Sequence, residues 1–149
     1  MTTVYKSSVW SKGNPVAVEE KKSAVKMLWN TIDCRNTFLV DSTGLPNATA
    51  GVGAGDSTKA IVIPAGAYVL GVKLQVVTAA GATCTVGLGD SGSATQLATA
   101  ANCNTTTDTF LVAGAKYYSA ADYLLVTFNH ATSTAVFKVG IAYIDTAAN

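Results

Sequence analysis

The sequence predicts an all-β protein, an antiparallel β-sandwich preceded by an N-terminal arm. From Lys59 onward apolar and polar residues alternate with a period of two, which is typical of half-buried strands. Turn residues interrupt these segments about every 8–12 positions. No long amphipathic helix separates the strands, which argues against a βαβ fold.

Residues 1–41 form the predicted arm, which is extended or contains a short helix. Asn14 and Pro15 resemble a helix N-cap followed by proline at the first helical position. Apolar residues after them fit helical spacing, but the segment from Val25 to Trp29 could equally begin a strand. Because residues before Asn14 show no periodicity, an arm with at most a short helix is favoured over a full helix.

Residues 42–58 form a predicted loop rich in Gly, Ala, Ser and Thr, and residues 59–149 form the predicted sandwich domain. The expected strands are 59–63, 68–78, 82–88, 107–112, 116–119, 123–129 and 134–145. A short Ala-Ala-Gly turn joins the second and third of these, which are expected to form a hairpin. Residues 94–101 are expected to form a short helical turn.

Charge is scarce in this chain. Of 149 residues, 13% are charged and the formal net charge is +1, against about 25% charged in an average globular protein. Since charged side chains keep a monomer dispersed, either small polar residues hydrate the surface or other subunits cover much of it. The second explanation is favoured. The near-neutral balance, with no apolar stretch long enough to span a bilayer, makes nucleic acid and membrane unexpected partners.

The cysteines and the acidic residues show no spacing that suits a metal. The three cysteines lack a zinc-binding pattern and are expected to be free thiols in a reducing compartment. The acidic residues near predicted loops are too widely separated to form a calcium site or an acid–base pair. These residues are Cys34, Cys84, Cys103, Asp41, Asp56, Asp90 and Asp108.

Two glycine-containing loops resemble functional motifs but lack the residues that those motifs need. Residues 89–92, Gly-Asp-Ser-Gly, resemble a serine-protease loop, but the chain's one histidine, His130, follows the serine. Asp-Ser-Gly is more simply a turn. After the glycine-rich run at 51–55 the chain reads Asp-Ser-Thr-Lys, so Lys59 follows the Ser and Thr, whereas in a phosphate loop the lysine precedes them. No enzymatic activity and no cofactor are expected.

Three aromatic residues in the N-terminal part are candidate anchors for a partner. Burying a tryptophan removes about 150–250 Å² from water, and Trp and Tyr are enriched at interface hot spots. The alternative is that these rings fold back onto the chain's own sandwich. The candidates are Tyr5, Trp10 and Trp29.

Residues 61–72, Ile-Val-Ile-Pro-Ala-Gly-Ala-Tyr-Val-Leu-Gly-Val, are similar to small virion proteins of tailed bacteriophages. In that family such a strand pair precedes a Thr/Ala-rich β domain. Residues 84–90, the Ala-rich stretch 97–101 and the closing segment 139–144 also resemble the family pattern. The likeness covers about residues 59–145.

This resemblance implies a capsid decoration (cement) protein with a jelly-roll-like sandwich and no enzymatic activity. Such a protein binds the outer face of the major capsid protein shell as a homo-oligomer, with a trimer favoured and a dimer possible. It would be made in the host cytoplasm and lie on the capsid exterior of the virion. Beyond the three aromatic anchors, the expected subunit contacts on flat strand faces are Val69, Val77 and Leu125.

Two other functions remain open on the sequence. A phage tail or fibre attachment subunit would also be an assembly protein but would be present in few copies. A carbohydrate-binding sandwich needs exposed aromatic side chains in a row, which Tyr117, Tyr118 and Tyr123 could supply in part.

Overall fold

A computed structural model describes residues 25–35, 51–81, 83–111 and 115–146, in which nine strands and no helix occur. No helix in these ranges is therefore able to cross a membrane. The strands are β1 (Val25–Asp33), β2 (Ser57–Ile63), β3 (Ala67–Thr78), β4 (Thr85–Asp90), β5 (Ser93–Asn102), β6 (Thr107–Leu111), β7 (Lys116–Tyr118), β8 (Asp122–Phe128) and β9 (Val136–Asp145).

The strands form two antiparallel sheets around one core. The five-stranded sheet has the order β1-β9-β3-β6, with β7 also paired to β3, and the four-stranded sheet has the order β2-β8-β4-β5. The pairing is nested along the chain: β4 pairs with β5, β3 with β6, β2 with β8 and β1 with β9. Because successive pairs alternate between the sheets, the chain wraps round its core as an eight-stranded jelly roll with β7 added. The predicted antiparallel sandwich is confirmed.

The core consists of the inward-facing side chains of both sheets. Their rings meet where Phe128 of β8 lies against Phe137 of β9, with centroids 5.8 Å apart. Aliphatic side chains fill the rest of the interior, among them Ile63, Val72, Leu74, Val86, Leu88, Leu124 and Ile141. The outer faces of the two sheets are then left to interact with other molecules.

The structure corrects the predicted boundary of the arm. Val25–Asp33 is not part of an extended arm but the strand β1, which pairs with β9 along its whole length. The sandwich therefore includes residues from 25 onward, and β2 begins at Ser57 rather than at residue 59. Period-two alternation is hard to see in β1 because its outward residues Met27 and Trp29 are apolar too. Residues 1–24 and 36–50 lie outside the described ranges, so the rest of the arm and loop stays a prediction.

Two further predictions about local structure are wrong. The strands β3 and β4 do not form a hairpin, because the connection between them carries the chain from one sheet to the other. Residues 94–101 lie in β5 rather than in a helical turn, and they pair with β4 through two register shifts. The helix propensity of this Ala-rich segment is overridden by the main-chain hydrogen bonds that β4 offers.

Polar side chains link the two sheets. At the β1 edge, Asn30 Nδ2 donates to the carbonyl of Ala60 in β2 at 2.6 Å. Asp90 of β4 accepts hydrogen bonds from Lys116 Nζ at 2.6 Å and from the Tyr118 hydroxyl at 2.7 Å, both on β7. Each contact joins a strand of one sheet to a strand of the other, so together they fix the relative position of the sheets.

Asp90 is buried, and its hydrogen bonds keep it ionised. The backbone N–H groups of Gly92 and Ser93 donate to Oδ1 at 2.9 and 3.1 Å, which is the turn that the Asp-Ser-Gly sequence predicts. Burial by itself raises the pKa of this carboxyl group, but the hydrogen bonds from Lys116, Tyr118 and the two backbone groups together hold it below its ordinary value. Burial and the Asp90 carboxylate raise the pKa of Tyr118, which stays protonated.

This lowered pKa predicts a pH dependence of stability. Because the pKa of Asp90 is lower in the folded chain, its ionised form stabilises the fold above the unfolded-state pKa of about 4. That contribution is lost as the pH falls through the folded-state value. Between about pH 5 and pH 2 we expect Asp90→Asn to lose less free energy of unfolding than the wild type. Urea unfolding across this range measures the difference, and parallel curves for the two proteins would contradict it.

Candidate interaction surface

Exposed apolar side chains are concentrated on the five-stranded sheet. Among the described residues, ten large hydrophobic side chains are exposed, and eight of them belong to strands of this sheet. These eight are Val25, Met27, Leu28, Trp29, Tyr68, Val77, Phe110 and Tyr117. A monomer rarely leaves so many apolar groups together in water, so this sheet is the candidate interaction surface.

The strand register arranges one set of these side chains as a row. Trp29 lies opposite Gly140, Gly140 opposite Lys73, and Lys73 opposite Phe110. Directly opposed residues of antiparallel strands project from the same face of the sheet. The four residues therefore form an aromatic row across β1, β9, β3 and β6, with an exposed ring at each end.

Two more rows lie on the same outer face. Toward one end of the sheet is a polar row of Thr31, Lys138, Gln75 and Asp108. Toward the other end is a second apolar row of Val25, Ile144, Tyr68 and Tyr117. The outer face is thus apolar and aromatic over most of its length and polar at one end.

The indole of Trp29 packs closely against β9 because residue 140 is a glycine, which has no side chain. A Cβ atom on Gly140 would lie 2.8 Å from Cε3 of Trp29, so only glycine lets the indole approach β9 this closely. Lys73 Nζ lies 5.8 Å from the indole centroid and forms an ion pair with Asp108 at 2.6 Å. Trp29 nevertheless remains 47% exposed, so the ring is positioned but available to a partner.

Gly140→Ala is therefore expected to displace the indole of Trp29. The added methyl group would overlap the ring and also approach the Leu28 carbonyl to 3.1 Å, and we expect a loss of about 1–3 kcal/mol of stability. In a Trp10→Phe background, the fluorescence emission of Trp29 should shift, because the ring leaves the surface of β9. Unchanged emission and an unchanged unfolding midpoint would contradict this account of the glycine.

A shallow depression lies between the aromatic row and the polar row. It has a volume of ≈ 520 Å³ and is lined by Trp29, Asn30, Thr31, Gln75 and Lys138. The Asn30 side-chain amide already has hydrogen-bond partners. Its Nδ2 donates to the Ala60 carbonyl, and its Oδ1 accepts from the backbone N–H of Thr31 at 2.8 Å. Within the described part of the chain, the side chains of Thr31, Gln75 and Lys138 have no hydrogen-bond or ion-pair partner.

The six candidate contact residues do not form one site. Val69 is 0% exposed and lies in the core, which corrects its assignment to a flat surface; the register shift between Val69 and Gly71 turns it inward. Trp29 and Val77 are both exposed on the five-stranded sheet, whereas Leu125 is half-buried on the four-stranded sheet. Tyr5 and Trp10 lie outside the described residues and stay predictions.

A smaller apolar patch lies on the four-stranded sheet. Val62 of β2 lies opposite Tyr123 of β8, and Lys59 lies opposite Leu125. Val62 is 57% exposed, and Lys59 Nζ lies 4.7 Å from the Tyr123 centroid. Like the outer face of the five-stranded sheet, this patch combines aliphatic, aromatic and lysine side chains. Its residues therefore serve as matched control positions in the binding experiments.

Tyr117, Tyr118 and Tyr123, the tyrosines predicted as part of a carbohydrate-binding platform, do not lie side by side. Tyr118 is buried and bonded to Asp90, while Tyr117 and Tyr123 lie on different sheets. Sequence reasoning missed Phe110 and Tyr68 as surface residues. Their positions depend on which strands pair, and the local sequence does not encode that.

The serine of the Gly-Asp-Ser-Gly loop has a carboxylate as its hydrogen-bond partner rather than the histidine. The Ser91 hydroxyl donates to Asp122 at 2.9 Å, and His130 is exposed in the turn after β8. No group of His, Cys, Asp and Glu suited to a metal occurs in these ranges.

All three cysteines are buried free thiols. Burial, with neighbouring thiols, raises the pKa of Cys34 to about 12 and also raises that of Cys103. The Cys103 thiol donates to the Cys84 carbonyl at 3.1 Å. The thiols of Cys34 and Cys103 are therefore protonated in the folded protein at neutral pH.

Comparison with solved structures finds the same fold in phage capsids. A chain of the cyanophage Pam1 capsid asymmetric unit is 22% identical with a TM-score of 0.58, covering 80% of this chain and 83% of that one. A chain of the Ralstonia phage GP4 capsid is 14% identical with a TM-score of 0.60, covering 84% and 86%. A chain of the acid-stable capsid of Helicobacter pylori bacteriophage KHP30 is 14% identical with a TM-score of 0.54, covering 81% and 87%. No family model and no curated protein matches the sequence. At these identities the likeness concerns the fold.

Proposed function

We propose that this protein is a structural subunit of a phage virion, a capsid decoration (cement) protein. In this proposal it binds the outer face of the major capsid protein shell and stabilises the shell. The observation that carries the proposal is the exposed aromatic face of the five-stranded sheet, on a fold shared with chains of three phage capsids.

The extent of the structural likeness supports a capsid role. The matches cover 80–84% of this chain and 83–87% of the capsid chains, so those chains are about as long as this one. A whole chain of this size and fold therefore occurs in each of three capsids. A short chain that is mostly one jelly roll fits a protein added to a shell.

The surface supports binding to a protein partner. Burying the exposed part of Trp29 removes about 100 Å² from water, which is worth roughly 2.5 kcal/mol. Phe110, Tyr68 and Tyr117 are exposed on the same rigid sheet, so several such contributions can add in one interface. The low charge of the chain fits a surface that neighbouring subunits cover.

The proposed mechanism is linkage between binding and shell stability. A subunit that binds the assembled shell and not its dissociated parts stabilises the shell by about 2.7 kcal/mol per site at a free concentration of 100 Kd. In a homo-oligomer, of which a trimer is favoured, the subunits add avidity when they bind repeated sites together. The protein would be made in the host cytoplasm and lie on the capsid exterior.

Co-sedimentation with shells that lack this protein tests the proposal. We expect saturable binding by the wild type and at least about tenfold weaker binding by Trp29→Ala and Phe110→Ala. Tyr123→Ala, on the four-stranded sheet, is the matched control and should bind within about twofold of the wild type. Absence of saturable wild-type binding would overturn the proposal. A tail or fibre subunit would be distinguished by its low copy number in purified particles.

A further inference from the structure

We propose that the outer face of the five-stranded sheet binds an acidic segment of the shell subunit. In this arrangement a carboxylate of the segment lies against Lys138 while an apolar side chain covers Trp29. The inference rests on the proposed function and adds to it the chemistry of the partner.

The polar row offers side chains that the fold itself does not use. Thr31, Lys138 and Gln75 lie side by side across β1, β9 and β3, at the edge of the depression beside Trp29. None of these three side chains has a partner within the described ranges. A hydroxyl, an ammonium group and an amide are all donors that suit a carboxylate.

The charge on this face is not balanced. Lys73 forms an ion pair with Asp108 at 2.6 Å, whereas Lys138 is exposed and forms no ion pair with any residue in the described part of the chain. A partner that covers Trp29 also removes water from Lys138, because both line one depression. Burying an unpaired ammonium group opposes binding unless the partner supplies a carboxylate.

The spacing of the two rows limits the shape of the segment. Trp29 and Thr31 are two residues apart on β1, so the aromatic and polar rows lie about 7 Å apart along the strands. In an extended chain, residues i and i+2 project to the same side at this spacing. The fitting segment is therefore extended, with Asp or Glu two positions from an apolar residue.

The test compares two lysines on opposite sheets. We measure binding to shells lacking this protein for Lys138→Glu and Lys138→Gln, with Lys59→Glu and Lys59→Gln as controls that change the net charge equally. We expect at least about tenfold weaker binding for Lys138→Glu, a smaller loss for Lys138→Gln, and changes within about twofold for both Lys59 variants. The affinity of Lys138→Gln should also depend less on salt concentration than that of the wild type.

The outcomes separate this inference from the proposed function. If the wild type and Lys59→Glu bind, Trp29→Ala does not, and Lys138→Glu binds like Lys59→Glu, the acidic segment is excluded while shell binding stands. If the wild type does not bind at all, the proposed function fails first. If Lys138→Glu alters only self-association in sedimentation equilibrium, the face binds a second copy and the inference is wrong. Equal melting temperatures of the variants show that folding is unaffected.

Discussion

Asp90→Ala is expected to lower the free energy of unfolding by roughly 3 kcal/mol. The side chain is 0% exposed and accepts hydrogen bonds from Lys116, Tyr118 and two backbone N–H groups. Alanine would leave the buried Tyr118 hydroxyl without its acceptor and release the turn after β4. The polar link between β4 and β7 would be lost, which leaves the Asn30–Ala60 hydrogen bond as the other polar contact that we describe between the sheets.

Urea unfolding at neutral pH measures this loss, and the chain supplies a matched control. Asp108 forms an ion pair with Lys73 at the same 2.6 Å, but its side chain is 51% exposed. Asp108→Ala should therefore cost no more than about 1 kcal/mol. If the two variants were equally stable, the buried carboxylate would not be the link that we describe.

Gly89→Ala is expected to disrupt the pairing of β4 with β5. A Cβ atom at Gly89 would overlap the carbonyl oxygen of Ser93 and the carbonyl carbon of Ala94, and would lie 2.6 Å from the carbonyl oxygen of Ala94. Backbone atoms cannot move aside as a flexible side chain can. We expect a loss of about 3 kcal/mol or more.

Thermal unfolding and the soluble fraction after expression measure the effect of this substitution. Gly53→Ala is the control, because its added methyl group would meet only the Asp56 carboxylate, at 3.3 Å. That variant should stay within about 1 kcal/mol of the wild type. A Gly89→Ala protein as stable as Gly53→Ala would show that the backbone of β5 does not approach Gly89 of β4 as closely as described.

The sequence predicts strands better than it predicts their partners. Alternation predicts β3 and β8 because each has one face in the core and one facing outward, whereas most residues of β9 are buried on both faces and only Lys138 is exposed. The pairing of β1 with β9 joins residues more than a hundred positions apart, and no local pattern contains that information. The short turn before β4 favours a hairpin by its length, but β4 lies in the other sheet, where it pairs with β5 and β8.

The candidate surface could be predicted only in part. The sequence predicts Trp29 as one of three aromatic anchors in the N-terminal part, because Trp and Tyr are enriched at interface hot spots, and the structure exposes it. Gly140 and Phe110 become part of the same row only through the register of four strands. Strict alternation places Val69 at the surface, but the register shift between Val69 and Gly71 interrupts the alternation.

In the proposed function, the outer face of the five-stranded sheet binds the shell. Hydroxyl-radical footprinting of the free and the shell-bound protein locates this face, because the reactivity of a side chain follows its own solvent exposure. We predict that Trp29, Phe110 and Tyr117 are protected in the bound protein, while Val62 and Tyr123 on the four-stranded sheet react as in the free protein. Protection of Val62 and Tyr123 with unchanged reactivity at Trp29 would contradict the claim.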